Sequence, residues 1–112
     1  AAYPAADSTT TMTDVASLTF GTGDLSGSPE TTSGDISEDG SRILVRTYSR
    51  VFLFLRYPWG SVADALLGEV YQVPQPAEPQ GETVAFAPDA LSYTTVSEGT
   101  GPSIYTMSAV VP

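Results

Sequence analysis

The chain has 112 residues, 13 acidic side chains against 4 arginines, a net charge of -9 and 41% hydrophobic residues. That is one domain's length with enough apolar content to form a core, and its charge argues against nucleic acid and anionic membranes as partners, because phosphate binding needs clustered cations. With no Cys, His, Lys or Asn, the chain by itself supplies no disulfide, thiol nucleophile, Ser–His pair, typical structural zinc site, Schiff base or N-glycosylation acceptor.

Residues 1–13 are small, polar and aperiodic, and read as a flexible leader. The chain opens without Met, which raises the expectation of processing from a longer precursor or of a secreted or cell-envelope location. Asp14–Phe20 is β-branched and aromatic and ends at Gly21 and Gly23, as a strand would. Residues 21–33 are rich in Gly, Ser, Thr and Pro and read as a loop.

A first unit follows. Thr32–Ser37 is a short strand, and Glu38-Asp39-Gly40-Ser41 is a turn in which Asp accepts local hydrogen bonds and Gly supplies a positive φ. Arg42–Tyr48 and Val51–Arg56 then form a hairpin. Their apolar residues run on without alternating, Ile43-Leu44-Val45 and Val51–Leu55, as expected of strands covered on both faces. The longest of these runs is strand-sized, far short of a membrane-spanning helix. After a break at Tyr57-Pro58-Trp59-Gly60, the stretch 61–68 reads as one or two helical turns, with Ser61 as N-cap, Asp64 as its partner and Gly68 as the stop. Glu69–Val73 is an outer strand, and residues 74–80 are a Pro-rich linker.

The scheme then repeats 50 residues on. Glu82–Ala87 is a strand, Pro88-Asp89-Ala90 a turn, Leu91–Ser97 a strand, residues 98–102 a loop and Ser103–Val110 a strand. Units of this length with several short strands read as β-propeller blades. The expected fold is all-β: two four-stranded antiparallel blades in an incomplete ring, blade one over about 32–73 and blade two over about 82–110, with 14–20 as a closing strand. A small stand-alone β-sandwich is the competing architecture.

The stretches Ser33–Tyr48 and Pro79–Asp89, above all Arg46-Thr47-Tyr48 and Gln80-Gly81-Glu82, resemble propeller proteins of the "esterase-like activity of phytase" family from high-GC Gram-positive bacteria. Glu38 and Ala90 depart from the family's Pro and Gly at the two turns. The resemblance implies that Glu82 opens an innermost strand and faces a channel, where it would bind a ligand or a cation such as Ca²⁺, with Asp35 and Arg46 as further channel candidates. It also implies an enzymatic alternative, a Ca²⁺-dependent phosphoesterase. The residues themselves offer structural roles: Asp35 bonding nearby backbone, Arg46 in an ion pair because it interrupts an apolar strand, and Tyr48, Tyr57 and Trp59 packing between blades. The favoured expectation is a non-catalytic binding or scaffold module. It would join copies of itself or other blades of the same precursor into a ring.

Overall fold

The computed structural model describes residues 6–109 and contains two antiparallel sheets. The first holds β1 (Thr31–Ile36), β2 (Arg42–Thr47), β3 (Val51–Leu55) and β4 (Val70–Val73) in sequential order. The second holds β5 (Gly81–Phe86), β6 (Ser92–Ser97) and β7 (Ile104–Ser108). A short helix, α1 (Val62–Leu66), links β3 to β4, and Ser61 and Asp64 form the reciprocal capping box expected at its start. The two sheets do not close on themselves.

The 50-residue repeat is structural as well as compositional. In the β1–β2 ladder the register shifts between Thr31 and Ser33, and in the β5–β6 ladder between Gly81 and Thr83. At the first turn Ser37 N donates to Arg42 O and Gly40 N to Ser37 O; at the second, Ala87 N donates to Ser92 O and Ala90 N to Ala87 O. Asp39 Oδ1 accepts from Ser41 N, and Asp89 Oδ1 accepts from Leu91 N. Bonds from the Ser41 amide and the Ser37 and Ser41 hydroxyls hold the Asp39 carboxyl down at about 2, below its usual value.

Unbroken apolarity in β2 and β3 is explained by two coverings. On one face, here the back, Ile43, Val45, Phe52, Phe54 and Val70 pack under Leu18, Phe20, Leu25 and the α1 residues Val62, Ala65 and Leu66. On the front, Leu44, Val51, Leu53 and Val73 meet Val84, Phe86 and Tyr93 of the second sheet. Front of the first sheet therefore packs on back of the second.

Two expectations are corrected. The segment 14–20 forms no strand and does not complete the second sheet, which has three strands among the described residues. Its Leu18 and Phe20 instead lie on the back of the first sheet, Phe20 tilted against Phe52 at 5.8 Å between ring centroids. The second correction concerns Tyr57 and Trp59, which stack on each other at an exposed turn instead of packing between sheets. The expected ends of the leader at Ala1–Ala5 and of the last strand at Val110 lie outside the described residues.

Comparison of the two units isolates two imperfect positions. Ala90 adopts φ +58°, the left-handed conformation that Gly40 adopts at +76° in the first turn. A Cβ in that region is sterically unfavourable by roughly 1–2 kcal/mol. Ala90→Gly is therefore expected to stabilise the chain by up to about 1 kcal/mol in chemical denaturation, net of the extra freedom Gly gives the unfolded state. Thr95 is fully buried against the first sheet, its Oγ1 has no hydrogen-bond partner, and its counterpart in the first unit is Val45. Thr95→Val is expected to raise the denaturation midpoint, by about 1 kcal/mol, since it removes an unsatisfied buried hydroxyl at nearly constant volume.

Candidate functional site

The candidate residues converge where the two units meet. β1 and β5 lie alongside one another, and their connection runs through β1 side chains. Thr32 Oγ1 donates to Gly81 O at 2.7 Å, Val84 N donates to Ser33 Oγ at 3.2 Å, and Phe86 N donates to Asp35 Oδ2 at 2.8 Å. Asp35 Oδ1 also accepts from Ile36 N. Both oxygens of the Asp35 carboxylate are thus committed to backbone amides, one of them in the neighbouring unit. These contacts supply partners to backbone groups of β5 on its side away from β6, the side a sheet edge would leave bare.

Arg46 sits deeper. It projects from the front of β2 and has 0% exposure. Nη2 lies 2.7 Å from Glu78 Oε1, Nη1 donates to Thr83 O at 3.0 Å, and longer bonds reach Thr47 O and Gln75 Oε1. The Glu78 side chain is 2% exposed. Its contact with Arg46 is a close ion pair without the alignment of a directed hydrogen bond, and neither carboxylate oxygen has a hydrogen-bond partner among the described residues. The pair joins the first unit to the linker, and the Thr83 bond extends it to the second unit.

Gly81 is dictated by this guanidinium. A Cβ there would stand 2.5 Å from Arg46 Nε and closer still to Cζ and Nη2. No positive φ is involved; the glycine leaves room for a planar cation against the backbone. At the equivalent positions the first unit has Thr31 and the second has Val96 in place of Arg46, so the lock occurs once in the two units.

Glu82, the residue the resemblance places at a channel, is half-buried on β5 at the position equivalent to Thr32. Asp35 and Arg46 do not converge on it in a shared pocket; each is engaged as described above. The other arginines are also occupied: Arg42 Nη1 donates to Ala90 O, Arg50 to Gln72, and Arg56 Nε to Gly60 O. Among the described residues no group of three or more Asp and Glu side chains stands close enough to hold a metal ion, so Ca²⁺ at Glu82 would need carboxylates from elsewhere. No helix among them is long and apolar enough to cross a membrane.

Sequence reading missed Glu78 and the role of Gly81. Glu78 lies in a Pro-rich stretch that looks like a solvated linker, while Gly81 looks like an ordinary turn residue. The available signal was Arg46 itself: a cation in an apolar strand requires a buried acid, and an arginine laid on backbone requires a glycine.

Comparisons with family models, with curated proteins and with solved structures find no match.

Arg46→Leu leaves Glu78 buried and unpaired and is expected to destabilise the chain by about 3–5 kcal/mol, read from urea midpoints. The Arg46→Leu/Glu78→Gln double variant should recover a substantial part of that loss, and additivity of the two single changes would contradict the coupling. Gly81→Ala is expected to be as damaging as Arg46→Leu although it removes no contact.

Proposed function

We propose that the chain is a β-propeller-type repeat module that acts as a binding or structural scaffold, assembling with copies of itself or with further units of a longer polypeptide. The observation that carries this reading is the way the two units stack. Equivalent positions pack front to back, and such an interface is heterologous: whatever face the first sheet presents to the second, the second presents again on its far side.

Among the described residues that far side is open. The counterparts of Ser33, Asp35, Leu44 and Arg46 are Thr83, Ala85, Thr94 and Val96, on the front of the second sheet. Ile104, paired with Val96 across β6 and β7, is 72% exposed. A face of Val, Ile, Ala and Thr with no charged residue among these positions suits burial against another sheet better than solvent. The back of the first sheet is covered by residues 14–25 and α1, which gives the stack one closed end and one open end. This arrangement resembles a repeat array with a terminal cap.

The ring itself, a secreted or cell-envelope setting, and Glu82 as a channel residue belong to the same proposal. The phosphoesterase alternative has no specific observation in its favour. Its substrate would meet a chain of net charge -9 whose four arginines already have protein partners.

Native mass spectrometry at micromolar concentration tests the scaffold reading. The expected result is an assembly larger than one chain, shifted toward smaller species by Val96→Glu or Ile104→Glu while far-UV circular dichroism stays unchanged. A monomer for the unsubstituted chain would overturn assembly with copies of itself and favour the stand-alone sandwich.

A further inference from the structure

Between β3 and β4 the chain builds a rigid aromatic ledge. Tyr57-Pro58-Trp59-Gly60 is a turn closed by Gly60 N donating to Tyr57 O at 2.9 Å, with the φ of Pro58 fixed by its ring. Arg56 clamps the turn, its Nε donating to Gly60 O at 2.9 Å and its amide to Ser41 O at 2.8 Å. The Tyr57 and Trp59 rings lie nearly parallel, 8° apart, with 5.2 Å between centroids. Each ring spends one face on the other and keeps one, and Trp59 is 83% exposed. Holding so large an apolar ring in water carries a solvation cost that the local stack offsets only in part.

The ledge borders a hollow of about 230 Å³. Every residue lining it falls between positions 55 and 69, so the hollow is built by one connection and by neither the second unit nor the segment 14–25. Leu55 and Ala65 supply apolar lining, Asp64 and Glu69 supply carboxylates, and no arginine borders it. Asp64 accepts a bond from the Ser61 amide, which holds its carboxyl below the usual value and keeps it ionised at neutral pH. Glu69 accepts from the Tyr71 hydroxyl through Oε2, at 2.7 Å.

Aromatic faces are electrostatically negative, and the two carboxylates add charge of the same sign. The matching guest is a cation with an apolar periphery: the rings attract its charge and cover its alkyl groups, and the carboxylates neutralise it. A neutral sugar would use the rings but not the charge, and an anion would be repelled. The volume is below the roughly 300–1,000 Å³ of pockets for drug-sized ligands and suits a head group. From this geometry we infer that the hollow bounded by Tyr57, Trp59, Asp64 and Glu69 binds an organic ammonium group. None of these four residues takes part in the contacts between the two units, so this site and the scaffold reading stand or fall separately.

Trp59 is the chain's one tryptophan, so intrinsic fluorescence reports on this hollow alone. Choline is the probe. Glucose and the uncharged carbon analogue of choline, with tert-butyl in place of trimethylammonium, are the comparisons. The expected result is a saturable fluorescence change with choline, binding at least about fivefold weaker for the uncharged analogue, and no saturation with glucose. Glu69→Gln should weaken choline binding severalfold and leave the analogue unaffected, and added NaCl should act in the same direction. Trp59→Ala removes the fluorophore, so it is followed by saturation-transfer NMR of the choline methyl groups, whose signal should vanish. Both positions are exposed, so both variants should keep the circular dichroism spectrum of the unsubstituted chain. Equal affinity for choline and its analogue would overturn the inference, as would choline binding indifferent to Glu69→Gln or Trp59→Ala. Saturation by glucose but not choline would make the ledge a sugar platform instead, and no saturable change with any probe would show that the hollow binds none of them; either result also overturns it.

Discussion

A single buried guanidinium sets the geometry of this molecule. Arg46 leaves a mostly apolar strand with no exposure, and it cannot be left without an anion in a site with no solvent. Glu78 meets that requirement from the linker, the Thr83 carbonyl meets another part of it from the second unit, and Gly81 keeps the space clear. These three partners lie within six positions of one another in sequence. The lock therefore fixes where the linker ends and where β5 begins to run beside β1. Such pairs add little net stability, since apolar residues of similar volume can stabilise a core as well.

Around the lock the two units are joined mainly by side chain to backbone. Ser33 and Asp35 accept from β5 amides, Thr32 donates to a β5 carbonyl, and Arg42 donates to the Ala90 carbonyl. Strands lying side by side without a shared ladder can tilt and splay in ways that paired strands cannot. A groove lies between β3–β4 and β6–β7, and the front of the second sheet faces no third sheet among the described residues.

Much of this was legible in the sequence, and the failures share a cause. The first turn, the hairpin of β2 and β3, the Ser61–Asp64 cap and the 50-residue period depend on local chemistry, and each appears where the residues place it. Coverage of β2 and β3 on both faces was readable from unbroken apolar runs. What occupies the back face was not. Leu18 and Phe20 announce that the segment 14–20 packs against the rest of the chain, but composition does not distinguish pairing at an edge from lying across a face. Glu78 was hidden for a similar reason, because burial of a linker acid depends on a partner 32 positions away. The exposed stack of Tyr57 on Trp59 satisfies two aromatic rings locally, at 5.2 Å between centroids, without the inter-sheet packing expected of them.

Hydrogen exchange of two amides tests most directly whether the units form one body. Val84 N and Phe86 N donate to side chains of β1, so their protection depends on the docking of β5 against the first sheet. If the stack opens as a whole, both exchange with the same opening free energy as the β2 amides that pair with β3, and both lose protection together in Arg46→Leu. Fast exchange of Val84 and Phe86, as at a solvated sheet edge, alongside a protected β2 would contradict the account, because the two sheets would then be independent.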